Sequence, residues 1–215
     1  MLILFRLFNY TIIFSVLISI FRIHKIEKRY YPFIIFLCYS LLNECISDLS
    51  IYLYHSNAAN SNLYVFISSF IVLYQLYVWS IKKLGKLIIA FSLSILILSW
   101  VVENFYFSTI WKFNTINNIM HYLFIILFSI FVVAQYLSFG IPARSVKVVF
   151  LLSCTFLIQY TISVIVEIFW IYGANSSDYF LTNVYKLISY MSLVANLIYV
   201  IAILWIPKKR ELRWL

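Results

Sequence analysis

The sequence predicts an all-α integral membrane protein, a bundle of seven transmembrane helices with its N-terminus outside and its C-terminus in the cytoplasm. Three observations carry that expectation. The chain is 65% apolar with a mean hydropathy of +0.99 and only 11% charged residues, far from the roughly half-apolar, quarter-charged balance of soluble domains. Apolar runs long enough to cross a ~30 Å hydrocarbon core, which takes about 20 helical residues, recur down the whole chain between short polar breaks. The basic residues gather in alternate breaks, and Lys and Arg in short loops hold those loops on the cytoplasmic side.

The first run, Leu2–Phe21, has its positive charges after the apolar stretch and lacks a small-x-small cleavage site, so it is expected to remain as a helix rather than be removed as a signal peptide. The second, Tyr30–Tyr54, carries Glu44 and Asp48 one helical turn apart. The third is Leu63–Ile81, and the fourth, Leu87–Asn104, is the shortest. The fifth is Asn117–Phe139, the sixth Val146–Tyr172 and the seventh Phe180–Ile206. The second and sixth are long enough to tilt or project from the bilayer. Barrel strands would alternate polar and apolar residues, which these runs do not.

Arg22, Lys25, Lys28 and Arg29 follow the first run; Lys82, Lys83 and Lys86 follow the third; Arg144 and Lys147 follow the fifth; Lys208, Lys209, Arg210 and Arg213 follow the seventh. The opposite breaks hold only Lys112. The net charge of +9 is therefore a topology signal, with a weak attraction to anionic lipid, and there is no nucleic-acid footprint. Residues 207–215 form a basic cytoplasmic tail whose cluster, between Trp205 and Trp214, reads as a membrane-surface anchor. No break is long enough for a soluble domain, so the bundle is the only domain.

Cys38, Cys45 and Cys154 all lie within spans and form no C-x-x-C pair, so they read as buried thiols rather than bridges or metal ligands. Three glycines, Gly85, Gly140 and Gly173, and three prolines, Pro32, Pro142 and Pro207, all sit in or beside breaks. That placement predicts continuous helices, which disfavours the unwound, Gly- or Pro-interrupted helices at which many transporters bind solutes. A faint repeat is also present. Asp48 precedes Asn62, Glu103 precedes Asn117 and Glu167 precedes Asn183 by 14, 14 and 16 residues, as if each asparagine capped a descending helix.

An acid inside a membrane span is costly, faces a bundle interior and has a partner. At ~1.5 Å per residue, Asp48, His121, Glu167 and Lys186 fall at one depth beneath the outer boundary, with Arg6 and Glu103 in the same layer. Glu44 lies a turn deeper, with Gln159 and Gln75 as candidate neighbours. Lys186 is the expected partner of Asp48. Gln159, Ser163 and Glu167 make a polar stripe on the sixth span, and Asn183, Lys186 and Tyr190 another on the seventh. Two readings of the layer remain open. The polar contacts hold helices in register at about 0.6 kcal/mol each, or Glu44, Asp48, Glu103, His121, Gln159, Glu167, Lys186 and Tyr190 line a water-filled pocket for a small polar or zwitterionic ligand. Four acids against so few bases exceed what pairing needs and favour the pocket.

Several chemistries find no support. A seven-helix zinc hydrolase needs convergent histidines, but His24, His55 and His121 are scattered and H-E-x-x-H is absent. A serine protease elbow of the G-x-S-x-G type is missing. Lys186 lacks the acids that accompany a retinal-binding lysine: the third span has none, and Thr182 stands one turn earlier. No cofactor is called for.

With its acid-bearing second span, LYVFISSFIVLY at Leu63–Tyr74 and ANLIYVIAILW at Ala195–Trp205, the chain resembles a loose group of uncharacterised seven-helix inner-membrane proteins of Bacteroidetes. The resemblance implies a bacterial inner-membrane location and no activity. Relatives in that group commonly carry an acid in the third span, where this chain has Ser68 and Ser69. The function expected is small-ligand sensing or solute binding that signals through a partner protein. The alternatives are a small-solute or proton-coupled transporter using Glu44 and Asp48, and a structural or assembly subunit. An intramembrane enzyme ranks last.

Overall fold

The computed structural model describes residues 2–80, 86–139, 144–172 and 178–207. Lys82, Lys83, Gly85, Gly140, Pro142, Gly173 and the tail from Lys208 onward lie outside the described residues, as do the side chains of Lys86, Arg144 and Thr182. The described residues form eight α-helices: α1 (Leu2–Tyr10), α2 (Ile12–Arg22), α3 (Tyr31–Tyr54), α4 (Ala58–Trp79), α5 (Lys86–Val102), α6 (Thr115–Phe139), α7 (Arg144–Tyr172) and α8 (Asp178–Trp205). A 3-10 turn, Lys28–Tyr30, leads into α3, and a π-helical turn, Glu103–Phe107, extends α5. Among the described residues six helices are long and apolar enough to cross a membrane, which marks a multi-pass membrane bundle.

The polarity of the packing agrees. Ser15, Ser19, Asn62, Ser68, Ser69, Gln75, His121, Ser129 and Ser153 are buried, while Leu42, Leu49, Leu98, Leu127, Ile158, Leu197 and Leu204 face outward. In water such a surface would be driven inward; in lipid, small and polar residues pack helix against helix while aliphatic ones meet the solvent.

The first expected span is not continuous. At Thr11 the side-chain hydroxyl donates to the Phe8 carbonyl at 2.6 Å and the Thr11 N–H bonds the same carbonyl at 3.3 Å. That back-bonding tightens one turn and divides the run into α1 and α2 without glycine or proline. The Asn9 carbonyl, released from the helical ladder, accepts from Asn196 Nδ2 at 3.3 Å, and the same amide donates to Thr11 Oγ1 at 3.0 Å. Ser15 Oγ donates back to the Asn196 carbonyl at 3.1 Å. Asn196 thus bolts the break to α8, and Asn196→Leu is expected to cost about 1–2 kcal/mol, a few intramembrane polar contacts at ~0.6 kcal/mol each plus an orphaned carbonyl. Unfolding in mixed micelles checks this; an unchanged midpoint would show that the break needs no partner.

Side-chain bonds fix the alternating direction of the helices. Gln75, near the end of α4, accepts the Phe33 N–H at 2.7 Å and donates to the Arg29 carbonyl at 2.8 Å. Tyr136, late in α6, donates to the Trp79 carbonyl at the end of α4 at 3.0 Å. Arg22 closes α2 and donates to the Ile203 and Ile206 carbonyls at the end of α8, at 2.9 and 3.2 Å, satisfying acceptors that a helix terminus leaves open. Arg22, Lys25, Lys28 and Arg29 therefore share one end of the bundle, the basic end. Gln75 lies there too. It caps the start of α3 and is no neighbour of Glu44, because it sits close to the wrong end of α4.

The helices close into a ring. α3 packs on α4, α4 on α6, α6 on α7, α7 on α8, and α8 on α1 and α2, which return to α3. α5 stands outside, leaning on α6 and α4, with Leu87, Phe91 and Leu98 turned outward. At the basic end the ring is filled by aromatic side chains. Phe156 is fully buried, with ring centroids 5.8 Å from Phe36, 6.0 Å from Tyr199, 6.2 Å from Phe33 and 6.3 Å from Trp79. Edge-to-face geometry of the kind it makes with Phe33 and Phe36 is what ring quadrupoles favour.

Candidate functional site

Toward the opposite end the ring opens into a cavity of about 380 Å³. α1, α3, α4, α6 and α8 all contribute to its wall: Asn9 from α1, Glu44 from α3, Ser61, Tyr64 and Ser68 from α4, Thr115 and Tyr122 from α6, Ile188 and Ser192 from α8. The longest stripe is on α7, where Gln159, Tyr160, Ser163, Val166, Glu167 and Trp170 follow one another at helical spacing. None of the described lining residues comes from α5. A smaller recess of about 50 Å³ shares Asn9, Glu44, Tyr64, Gln159 and Ser192, takes Ile12 from α2 and runs on toward Phe36, Asn196 and Tyr199. From Glu44 to the end of α3 at Tyr54 is ten residues, so the floor lies ~15 Å in from the helix ends. The aromatic cluster beyond it closes the far side.

Of the residues singled out in the sequence, Glu44, Gln159 and Glu167 meet in this cavity. Gln159 Oε1 accepts the Tyr199 hydroxyl at 2.6 Å, which fixes the amide at the floor. Glu167 Oε1 accepts from Asn118 Nδ2 at 3.0 Å. Asn9 lies beside the Glu44 carboxyl. Among the described residues neither Glu44 nor Glu167 is paired with a cation, and no Lys, Arg or His lines the cavity.

The remaining candidates are placed elsewhere. Asp48 turns to α1, where it accepts the Tyr10 hydroxyl at 2.7 Å and pairs with Arg6 at 3.7 Å. Lys186, the expected partner, instead donates to Asn183 Oδ1 at 2.9 Å on its own helix. Equal depth did not make them neighbours, since depth leaves open which way each helix face is turned. Tyr190 is about half exposed and its ring sits 5.7 Å from Phe8. His121 is fully buried behind the wall, edge-on to Phe66 at 5.9 Å. Glu103 accepts the Asn117 N–H at 2.6 Å and so caps the start of α6 from the π-helical turn, an arrangement the helix dipole favours.

The expected asparagine caps are corrected as well. Asn62 is buried within α4, which begins at Ala58, and donates to the Ile110 and Lys112 carbonyls at 2.9 and 2.7 Å while its Oδ1 accepts the Asn114 N–H. It pins the 108–114 connection over the end of the bundle. Asn117 and Asn183 likewise lie inside helices, with Asn117 Oδ1 accepting from Ser99 at 3.0 Å. The cap-like repeat is a resemblance of sequence without shared geometry. Cys38 and Cys45 are exposed on α3 rather than buried.

The aromatic wall was not singled out from the sequence. Tyr64 is held by Ser40 at 2.9 Å, and Tyr122 and Tyr160 meet at 5.4 Å between centroids. Tyr160 is only 6% exposed, yet among the described residues its hydroxyl makes no hydrogen bond. Ser61, Tyr64 and Ser68 form an i, i+3, i+7 stripe that could have been noticed. Comparison with protein-family models, curated proteins and solved structures finds no match to this chain.

Proposed function

We propose that this chain binds a small solute within the bundle and relays its presence to a partner protein. One observation carries the reading: a cavity of about 380 Å³, within the size range of small-molecule sites, is walled by six helices of the bundle and backed by a packed aromatic cluster. A ligand touching that many helices biases their relative positions, which is what coupling to a partner requires. Closure at the far side suits a receptor better than a pore. The segregation of Arg22, Lys25, Lys28 and Arg29 to one end supports a cytoplasmic basic end and a cavity facing outside. The membrane proposed is the bacterial inner membrane, and the basic end is the docking face for the partner.

Transport is the second reading, favoured by the break at Thr11, because Asn9 lines the cavity where the helical ladder is interrupted and secondary transporters bind solutes at such places. Thermal unfolding of the purified chain against cationic, anionic, zwitterionic and neutral solutes tests both. One class is expected to stabilise the fold, by about 2.7 kcal/mol at 100 times its dissociation constant; stabilisation by none opposes solute binding. Uptake of the stabilising solute into proteoliposomes would move the assignment from sensor to transporter.

A further inference from the structure

The cavity's electrostatics narrow the class of solute, provided that a solute is what the cavity binds. Two carboxylates from different helices, Glu44 and Glu167, open into one space whose described lining includes no basic residue. Among the described residues each is short of a positive partner, in a low-dielectric setting where unpaired charge is expensive. A neutral or anionic solute would leave that deficit in place or deepen it. The sequence expectation of a zwitterionic ligand assumed a lysine in the pocket, and Lys186 does not line it.

A second, independent feature is the wall itself. Tyr64, Tyr122, Tyr160 and Trp170 come from three helices and face the same space. Aromatic faces attract ammonium groups through the ring quadrupole, most strongly where water is excluded. Tyr160 is 6% exposed and lines the cavity, and among the described residues its hydroxyl makes no hydrogen bond. It is available to accept from an N–H donor or to donate to a hydroxyl on the ligand. We infer that the cavity takes a small organic ammonium ion, with Glu44 and Glu167 as counter-charges and the tyrosine and tryptophan rings as its cage.

Equilibrium binding to the full chain in lipid nanodiscs tests this with butylammonium, 1,4-diaminobutane and choline set against 1-butanol and butyrate. At least one of the cations is expected to bind ten-fold or more tightly than 1-butanol, and Glu44→Gln and Glu167→Gln are each expected to weaken it by ten-fold or more. Glu167→Gln retains an acceptor for Asn118 and serves if Glu44→Gln does not fold. Preference of the diamine over butylammonium would show both carboxylates engaged at once, and choline as the best ligand would show the aromatic cage dominating; either supports the assignment. Tighter binding of 1-butanol or butyrate overturns it and leaves solute binding standing. Binding of no compound in the set, joined to no stabilisation by any solute class, overturns both.

Discussion

Phe156→Ala is expected to destabilise the bundle by about 3.4–5.4 kcal/mol. In a membrane the usual transfer contribution largely drops out, since a phenylalanine released from the bundle meets lipid rather than water. What remains is the void, roughly 100 Å³ at about 24 cal/mol per Å³, or about 2.4 kcal/mol. To this are added the lost edge-to-face contacts with Phe33 and Phe36, about 0.5–1.5 kcal/mol for each such pair in favourable geometry. Reversible unfolding in mixed micelles measures it. A loss under ~1 kcal/mol would mean that the neighbours collapse into the space and the cluster is not closely packed.

Gln75→Leu is expected to cost about 2–6 kcal/mol although it replaces a polar residue in an apolar bundle with an apolar one of similar size. The amide serves two main-chain groups on α3 and the turn before it, the Phe33 N–H and the Arg29 carbonyl, and Gln75 itself is 1% exposed. Leucine leaves both orphaned at ~1–3 kcal/mol each. The first turn of a helix has free N–H groups in any case, and Pro32 has already removed one of them; Phe33 is the one that lies buried. Gln75→Glu separates the contributions, since its carboxylate can accept from Phe33 but not donate to Arg29. Equal stability of wild type and Gln75→Leu would show that the Phe33 and Arg29 main-chain groups find other partners.

Much of the helical plan was legible in hydropathy alone, because length and apolarity decide whether a segment can cross a bilayer. The interior was legible only in part. Gln159, Ser163 and Glu167 stand out as a polar stripe on an otherwise greasy helix, and Glu44 as an acid where acids are costly. The tyrosine wall did not stand out, since 18 tyrosines and 20% aromatic residues give every helix several candidates. The start of α4 was misplaced because the asparagines and serines after His55 read as a turn; they are helical residues whose side chains serve tertiary contacts, Asn60 to Asn43 and Ser47, Asn62 to the 108–114 connection. The break at Thr11 carries no glycine or proline; it comes from the back-bond of Thr11 to Phe8, and the partner that receives it, Asn196, stands 185 residues away.

The closed ring also bears on how the molecule is made. Among the described helices α1 and α2 come earliest in the chain and α8 latest, yet Ser15, Arg22, Asn9 and Thr11 all bond to α8 or the residue just after it. Until residues 192–206 arrive, those groups have no destination and the cavity lacks a wall. The helices between them can pair as successive hairpins during synthesis, but ring closure waits for α8. A chain arrested before Asn196 would therefore sit in the bilayer as an open arc, with Arg22 lacking the Ile203 and Ile206 carbonyls, and the cavity would come into being only once α8 is in place.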